Sequence, residues 1–166
     1  AVSAEDPVSI LIADDHPVVR KGLIACLSRR SDFIVVGEAV DGMEAIRKVS
    51  ELAPDLVLMD VEMPVVNGLD ATKAICKQSP NTKVLVVSMY NNPAYVVQAI
   101  QMGARGFELK TASAEDLLKA IDIVLRGEPF FPCRSNSAQQ PLKNAGSGSD
   151  KLFEREKEVL VYLAMG

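Results

Sequence analysis

The sequence predicts an α/β domain, a doubly wound parallel sheet of five strands with helices on both faces, and three observations predict it. Five short runs, residues 8–13, 33–36, 56–59, 84–88 and 106–109, are almost continuously apolar. Strands that alternate apolar with polar positions face water on one side, whereas continuous runs belong to strands covered on both faces. Helix-length segments separate the runs, at residues 17–30, 43–52, 69–78, 94–102 and 114–126. Finally, the boundaries carry the residues that start and stop helices, and five βα units in this order make an open α/β sheet.

The boundaries can be justified one by one. His16-Pro17 places proline in the first turn of the first helix, where a missing backbone N–H costs nothing. Tyr90-Asn91-Asn92-Pro93 reads as the turn and cap before the fourth helix, and Gly103 as its stop. Ser113 caps the fifth helix, Glu115 and Asp116 suit its positive end, and Gly127 follows it. Its face of Leu117, Leu118, Ile121, Val124 and Leu125 is the one to bury. Composition then changes. Residues 127–150 hold Pro129, Pro132, Pro141 and the run Gly146-Ser147-Gly148-Ser149, which reads as a flexible linker. Residues 151–166 return to a helical pattern through Leu152, Val159, Leu160 and Leu163. The expected organisation is a tail at 1–7, a domain at 8–126, the linker and a final helix.

Composition narrows the class. With 166 residues, 48% of them hydrophobic, the chain can bury the core of one full domain and part of a second. A net charge of −4 leaves no overall basic footprint from which to argue nucleic-acid binding. Cys26, Cys76 and Cys133 are too scattered for a disulfide framework, and the first two fall in helical patterns, which predicts buried thiols in a reducing cytoplasm. No apolar run approaches the roughly 20 residues of a membrane span, and residues 1–7 lack the charged and apolar regions of a secretory signal. A soluble cytoplasmic protein is expected.

Ligands of open α/β sheets bind at the carboxyl ends of the strands, near the point where strand order reverses. Asp14-Asp15 ends the first run, Asp60 the third and Ser88 the fourth, while Lys110 follows the fifth. Three carboxylates on one rim repel one another, and hard oxygen ligands of this number suit Mg²⁺ shared with a phosphoryl group. No glycine-rich turn follows the first strand, which counts against a nucleotide-phosphate cradle.

Asp14-Asp15, then Asp60 with Met63-Pro64 and Gly68 behind it, then Ser88, Phe107 and Lys110, form a set that resembles the receiver domain of bacterial response regulators, a CheY-like, flavodoxin-like fold. The resemblance covers about residues 8–126. It implies that Asp60 is the phospho-acceptor, served by a sensor histidine kinase. Asp15, Asp60 and the backbone carbonyl of Glu62 would hold Mg²⁺, with Asp14 acting through a bound water. Lys110 and Ser88 would contact the phosphoryl oxygens, and Ser88 with Phe107 would carry the switch. Phe107 stands where tyrosine is frequent, and Met89 where many receivers have a small residue, which implies narrower access. His16 reads as part of the turn, not as a ligand. The implied protein is not a turnover enzyme. A phosphohydrolase rival would want D-x-D after the first strand, whereas His16 stands at that place here.

Leu152-Phe153-Glu154-Arg155-Glu156-Lys157-Glu158-Val159-Leu160, with Leu163-Ala164-Met165-Gly166, resembles the opening of the LuxR-type helix-turn-helix of the NarL/FixJ regulators, with Phe153 where threonine is common. That resemblance implies transcription regulation, DNA binding by the full-length protein and a phosphorylation-dependent homodimer. Only the first helix of that domain falls before Gly166. Major-groove reading needs the recognition helix, so this chain alone is expected not to bind an operator.

Overall fold

A computed structural model of the chain describes residues 6–131. The elements run β1 (Val8–Ala13), α1 (Pro17–Leu27), β2 (Phe33–Ala39), α2 (Gly42–Leu52), β3 (Leu56–Asp60), α3 (Gly68–Gln78), β4 (Lys83–Ser88), α4 (Pro93–Met102), β5 (Gly106–Leu109) and α5 (Ala114–Leu125). The five strands pair in the order β2-β1-β3-β4-β5, all parallel. Strand order therefore reverses beside β1, and the ends of β1 and β3 open at that point.

Successive residues of each central strand serve opposite cores, which explains the continuous apolar runs. Leu11, Ala13, Val57, Met59, Val84, Val86 and Phe107 face one way, packing with Ala45 and Val49 of α2, Ile75 of α3 and Val96 of α4. Ile10, Ile12, Leu56, Leu58, Leu85 and Val87 face the other, under Leu27 of α1 and Leu117, Ile121 and Val124 of α5. Four helices start on side-chain caps, of which the sequence announces Asn92 and Ser113. Asp41, Asn67, Asn92 and Ser113 each accept a bond from the first turn of α2, α3, α4 and α5. Glu44 Oε1 in turn accepts from the main-chain N–H of Val40, one residue before the cap, so the two side chains clamp the start of α2 as a shifted capping box. Gly103 (φ +103°) and Gly127 (φ +92°) take the left-handed conformation that ends α4 and α5.

The boundaries differ from expectation at several places. β2 continues three residues past 36, because a bulge opposite Ile10 and Leu11 carries Gly37 back into register. α1 stops at Leu27, before residue 30, where Ser28 turns its hydroxyl onto Ala25 and Arg30 is drawn to Asp32 and Asp122. Cys26 and Cys76 are half-buried, not buried, and burial pushes both thiols up. The stretch expected to begin the linker folds back. The Phe130 main chain donates to Arg105 and accepts from Phe107, a bridge parallel to β5. Phe130 packs against the α1/α5 core and Phe131 against the other, so they straddle the sheet edge. Cys133, the rest of the linker, the tail at 1–5 and the helix expected at 151–166 lie outside the described residues. Among the described residues, no helix is long and apolar enough to cross a membrane.

Val65, in the loop after β3, has φ +69° and is 77% exposed. A β-branched residue in the left-handed region is strained, and here no burial offsets it. Val65→Gly is expected to raise stability by about 1 kcal/mol, read as a higher Tm. A lower Tm would show that the Val65 side chain contributes more than its backbone costs.

Candidate functional site

The register of the central strands brings the acids together. Ala13 lies beside Met59, so Asp14 and Asp60, one residue on, emerge side by side at the reversal point. Both are buried, at 1% and 5% exposure. Lys110 reaches them from the end of β5, where its main-chain N–H donates to Ser88 O at 2.7 Å. Its Nζ lies 2.7 Å from Asp14 Oδ2 and 3.0 Å from Asp60 Oδ1. Only 6% of that side chain is exposed. The His16 main-chain N–H donates to Asp14 Oδ1 at 2.8 Å. Asp14 thus braces the turn, while the side chain of His16, the α1 cap residue, accepts no bond from the first turn of the helix.

Ligand atoms of Asp14, Asp15, His16 and Asp60 lie within 4.8 Å of one another. His16 Nδ1 stands 3.1 Å from both Asp14 Oδ1 and Asp15 Oδ1, so His16 joins the group although the sequence reading had set it aside. It is the exposed member. Asp60 Oδ2 is buried and takes no hydrogen bond from the described residues, and Asp15 Oδ1, also buried, takes none but stands at ion-pair distance from His16 Nδ1. An orphaned buried acceptor such as Asp60 Oδ2 is costly, and carboxylate oxygens gathered at one acidic mouth are of the kind a hard cation takes.

The charges agree with this. Burial pushes the Asp60 carboxyl up, the Lys110 bond pulls it down, and the Asp14 and Asp15 charges push it up again, for a net rise. Burial alone would lower the Lys110 ammonium, but its bonds to Asp14 and Asp60 outweigh that and hold it above its ordinary value. Three carboxylates against one ammonium leave the mouth short of positive charge.

The other expected residues fall around this centre. Ser88, 2% exposed, follows Val87, the β4 neighbour of Asp60. Its Oγ accepts from the Tyr90 main chain at 3.1 Å, so its own proton is free to be donated elsewhere. Phe107 is 1% exposed in the α2–α4 core, and Met89 stands half-exposed on the rim. The Glu62 side chain turns away to accept from Tyr95 Oη of α4 at 3.0 Å. Gly68 backs α3 onto Asp60: its N–H donates to Val61 O at 2.8 Å. Two contacts escaped the sequence reading, Tyr95 on Glu62 and Arg20 on the Asp14 carbonyl at 2.6 Å. For Arg20 a signal existed, a basic residue in the first turn of the helix that follows the acids.

An acidic rim with a buried lysine on this strand order is what a receiver domain presents, and the comparisons agree. The chain belongs to the response regulator receiver family, whose profile matches residues 10–122. Its relatives are regulators of the NarL/LuxR type. The transcriptional regulatory protein YhcZ of Bacillus subtilis is 38% identical over 167 residues, covering 96% of this chain and 76% of that protein. The oxygen regulatory protein NreC of Staphylococcus aureus is 39% identical over 170 residues, covering 96% and 78%. A LuxR-family two-component response regulator from Aurantimonas superposes with a TM-score of 0.77 at 31% identity, covering 82% of this chain and 98% of that one.

Proposed function

We propose that the chain receives a phosphoryl group on Asp60 from a phosphohistidine of a sensor kinase and passes the change of state to a C-terminal DNA-binding segment. The observation that carries this is the asymmetry of Asp60. One oxygen is held by Lys110, and the other, Oδ2, is buried with no partner. That second oxygen is the nucleophile. As its bond to phosphorus forms, the P–N bond of the donor breaks and the electron pair returns to the imidazole. Little covalent assistance is needed, so placement and charge do most of the work.

The donor set fits Mg²⁺, because the clustered carboxylates of Asp15 and Asp60 are hard oxygen ligands at one mouth. Asp15, Asp60 and the Glu62 carbonyl would hold it, with Asp14 acting through water. Bound there, Mg²⁺ supplies charge stabilisation to the transferring group. Lys110 orients Asp60 and offers its ammonium to the incoming phosphoryl oxygens, and Ser88 has its hydroxyl proton ready for one of them.

Phosphorylation replaces the single charge of the Asp60 carboxylate with a phosphoryl group of about −1.5 to −2, a net gain of roughly half to one negative charge together with new acceptor oxygens at this mouth. Phe107 is already buried, so switching at Ser88 and Phe107 proceeds by repacking inside the core. Turning a population from 1:99 to 99:1 takes about 5.5 kcal/mol. Charge-assisted bonds worth roughly 1.5–3 kcal/mol each reach that with two or three. The partners on this reading are a sensor histidine kinase, a second copy after phosphorylation, and DNA for the full-length protein, with the chain itself working in the cytoplasm. The only chemistry is the chain's own phosphorylation and its hydrolysis.

Acetyl phosphate with Mg²⁺ should label the parent with a hydroxylamine-sensitive phosphoryl group, and Asp60→Ala should take no label. Undiminished label in Asp60→Ala, or steady turnover of a small phosphate ester, would overturn the assignment.

A further inference from the structure

We propose that Arg20 is a positioning residue for the acidic mouth, fixing the peptide that carries Asp15. Arg20 sits in the first turn of α1, and helical side chains lean toward the N-terminus, so its guanidinium returns over the turn it follows. There it makes two bonds of different kinds. Nη1 donates to the Asp14 carbonyl at 2.6 Å, and Nε donates to Glu38 Oε1 of β2 at 2.8 Å. The side chain is 15% exposed. The Asp14 carbonyl and the Asp15 amide share one rigid plane, so holding that oxygen sets the direction in which Asp15 leaves the chain. Asp15 Oδ1 is buried and makes no hydrogen bond, with the His16 ring at ion-pair distance.

The anchor is itself fastened. Lys48 of α2 donates to the Glu38 carbonyl and pairs with Glu44 at 3.3 Å. A line of contacts thus runs from α2 through the edge strand and the guanidinium fork to the acid turn. Groups behind a metal ligand set its orientation as surely as the ligand does. Two other roles for Arg20 make different predictions. As a mere tie between α1 and β2, it would affect stability and leave cation affinity alone. As a through-space charge it would repel a divalent cation, so removing it would tighten binding. A positioning role makes removal weaken binding.

The inference rests on the cation reading given under Proposed function, so the experiment separates the two. Mn²⁺ is titrated into the full chain, with free Mn²⁺ read by electron paramagnetic resonance, and folding is checked by circular dichroism. Asp15→Asn tests the cation site itself and should abolish high-affinity binding. Arg20→Ala should bind about tenfold more weakly than the parent. Arg20→Lys, which keeps one donor without the fork, should fall between the two, and Glu38→Gln should weaken binding less than Arg20→Ala. The two milder variants carry the test where Arg20→Ala fails to fold. Parent-like or tighter binding in folded Arg20→Ala overturns the inference, as does parent-like binding in both milder variants. A parent that binds no Mn²⁺ overturns the cation reading, and the inference falls with it.

Discussion

Gly68→Ala is expected to lower Tm by roughly 10 °C and to depress phosphorylation of Asp60 even at temperatures where the variant is folded. A Cβ at this position would stand 1.7 Å from the Asp60 carbonyl oxygen and 2.7 Å from its carbon. Those are main-chain atoms in the last residue of β3, so no side chain can rotate out of the way. Either α3 retreats, breaking the Gly68–Val61 bond, or the Asp60 peptide tilts and takes its carboxylate off Lys110. Overpacking a close contact costs about 1–3 kcal/mol, and a backbone clash this deep belongs at the upper end. Domains of this size hold only about 5–15 kcal/mol in total, so the loss is severe. Gly22→Ala provides the control: a Cβ there meets nothing within 4 Å, inside α1, and should be neutral or stabilising. If Gly68→Ala melts with the parent and labels at the same rate, α3 does not position Asp60 in the way argued.

How far the site could be read in advance follows from the same physics. β1, β3 and β4 are buried on both faces, so their apolar runs declared them, and the acids that end them were placed on one rim by topology alone. β2 is an edge strand with Gly37 and Glu38 in its second half, and only the bulge opposite β1 keeps those residues paired. That is a tertiary effect with no local pattern. The same holds for Phe130, which pairs with β5 although Pro129 and Pro132 bracket it like a linker. Pro129 suits an edge segment that must pair on one side only. At the site, residue types were legible but partners were not. Lys110 was expected to wait for phosphoryl oxygens, and it spends its charge between Asp14 and Asp60. His16 joins the acids because Asp14 pulls its main chain into the turn, a contact that spacing alone does not announce.

Lys110→Ala should be the most destabilising change at the site, and its effect should depend on pH and on divalent cation in a defined direction. The ammonium is bonded to two carboxylates in a setting where only 6% of its side chain reaches solvent. Removing one partner from a buried ion pair typically costs about 3–5 kcal/mol, because the remaining charge stays buried without compensation. The sign with pH follows from Asp60. Its folded value already lies above its ordinary one, chiefly through burial and against the pull of Lys110. A carboxyl raised on folding stabilises the fold below its unfolded value, near 3.9, and loses that contribution as pH rises through the folded value. Without Lys110 that pull is gone and the folded value climbs further, so the deficit of the variant should widen from pH 4.5 to pH 7.5. Lys110 itself, raised above an already high value, stays charged throughout this window and adds no slope. Mg²⁺ should then narrow the gap, because the mouth without Lys110 carries one more uncompensated negative charge, binds the cation more tightly than the parent does and so gains more stability from it. Asp60→Asn on the same background should narrow it without cation, by removing the raised carboxylate outright. Thermal melts of parent, single and double variants at the two pH values decide the matter. A deficit that is equal at both, and indifferent to Mg²⁺ and to Asp60→Asn, would mean that repulsion among the acids is not what Lys110 holds in check.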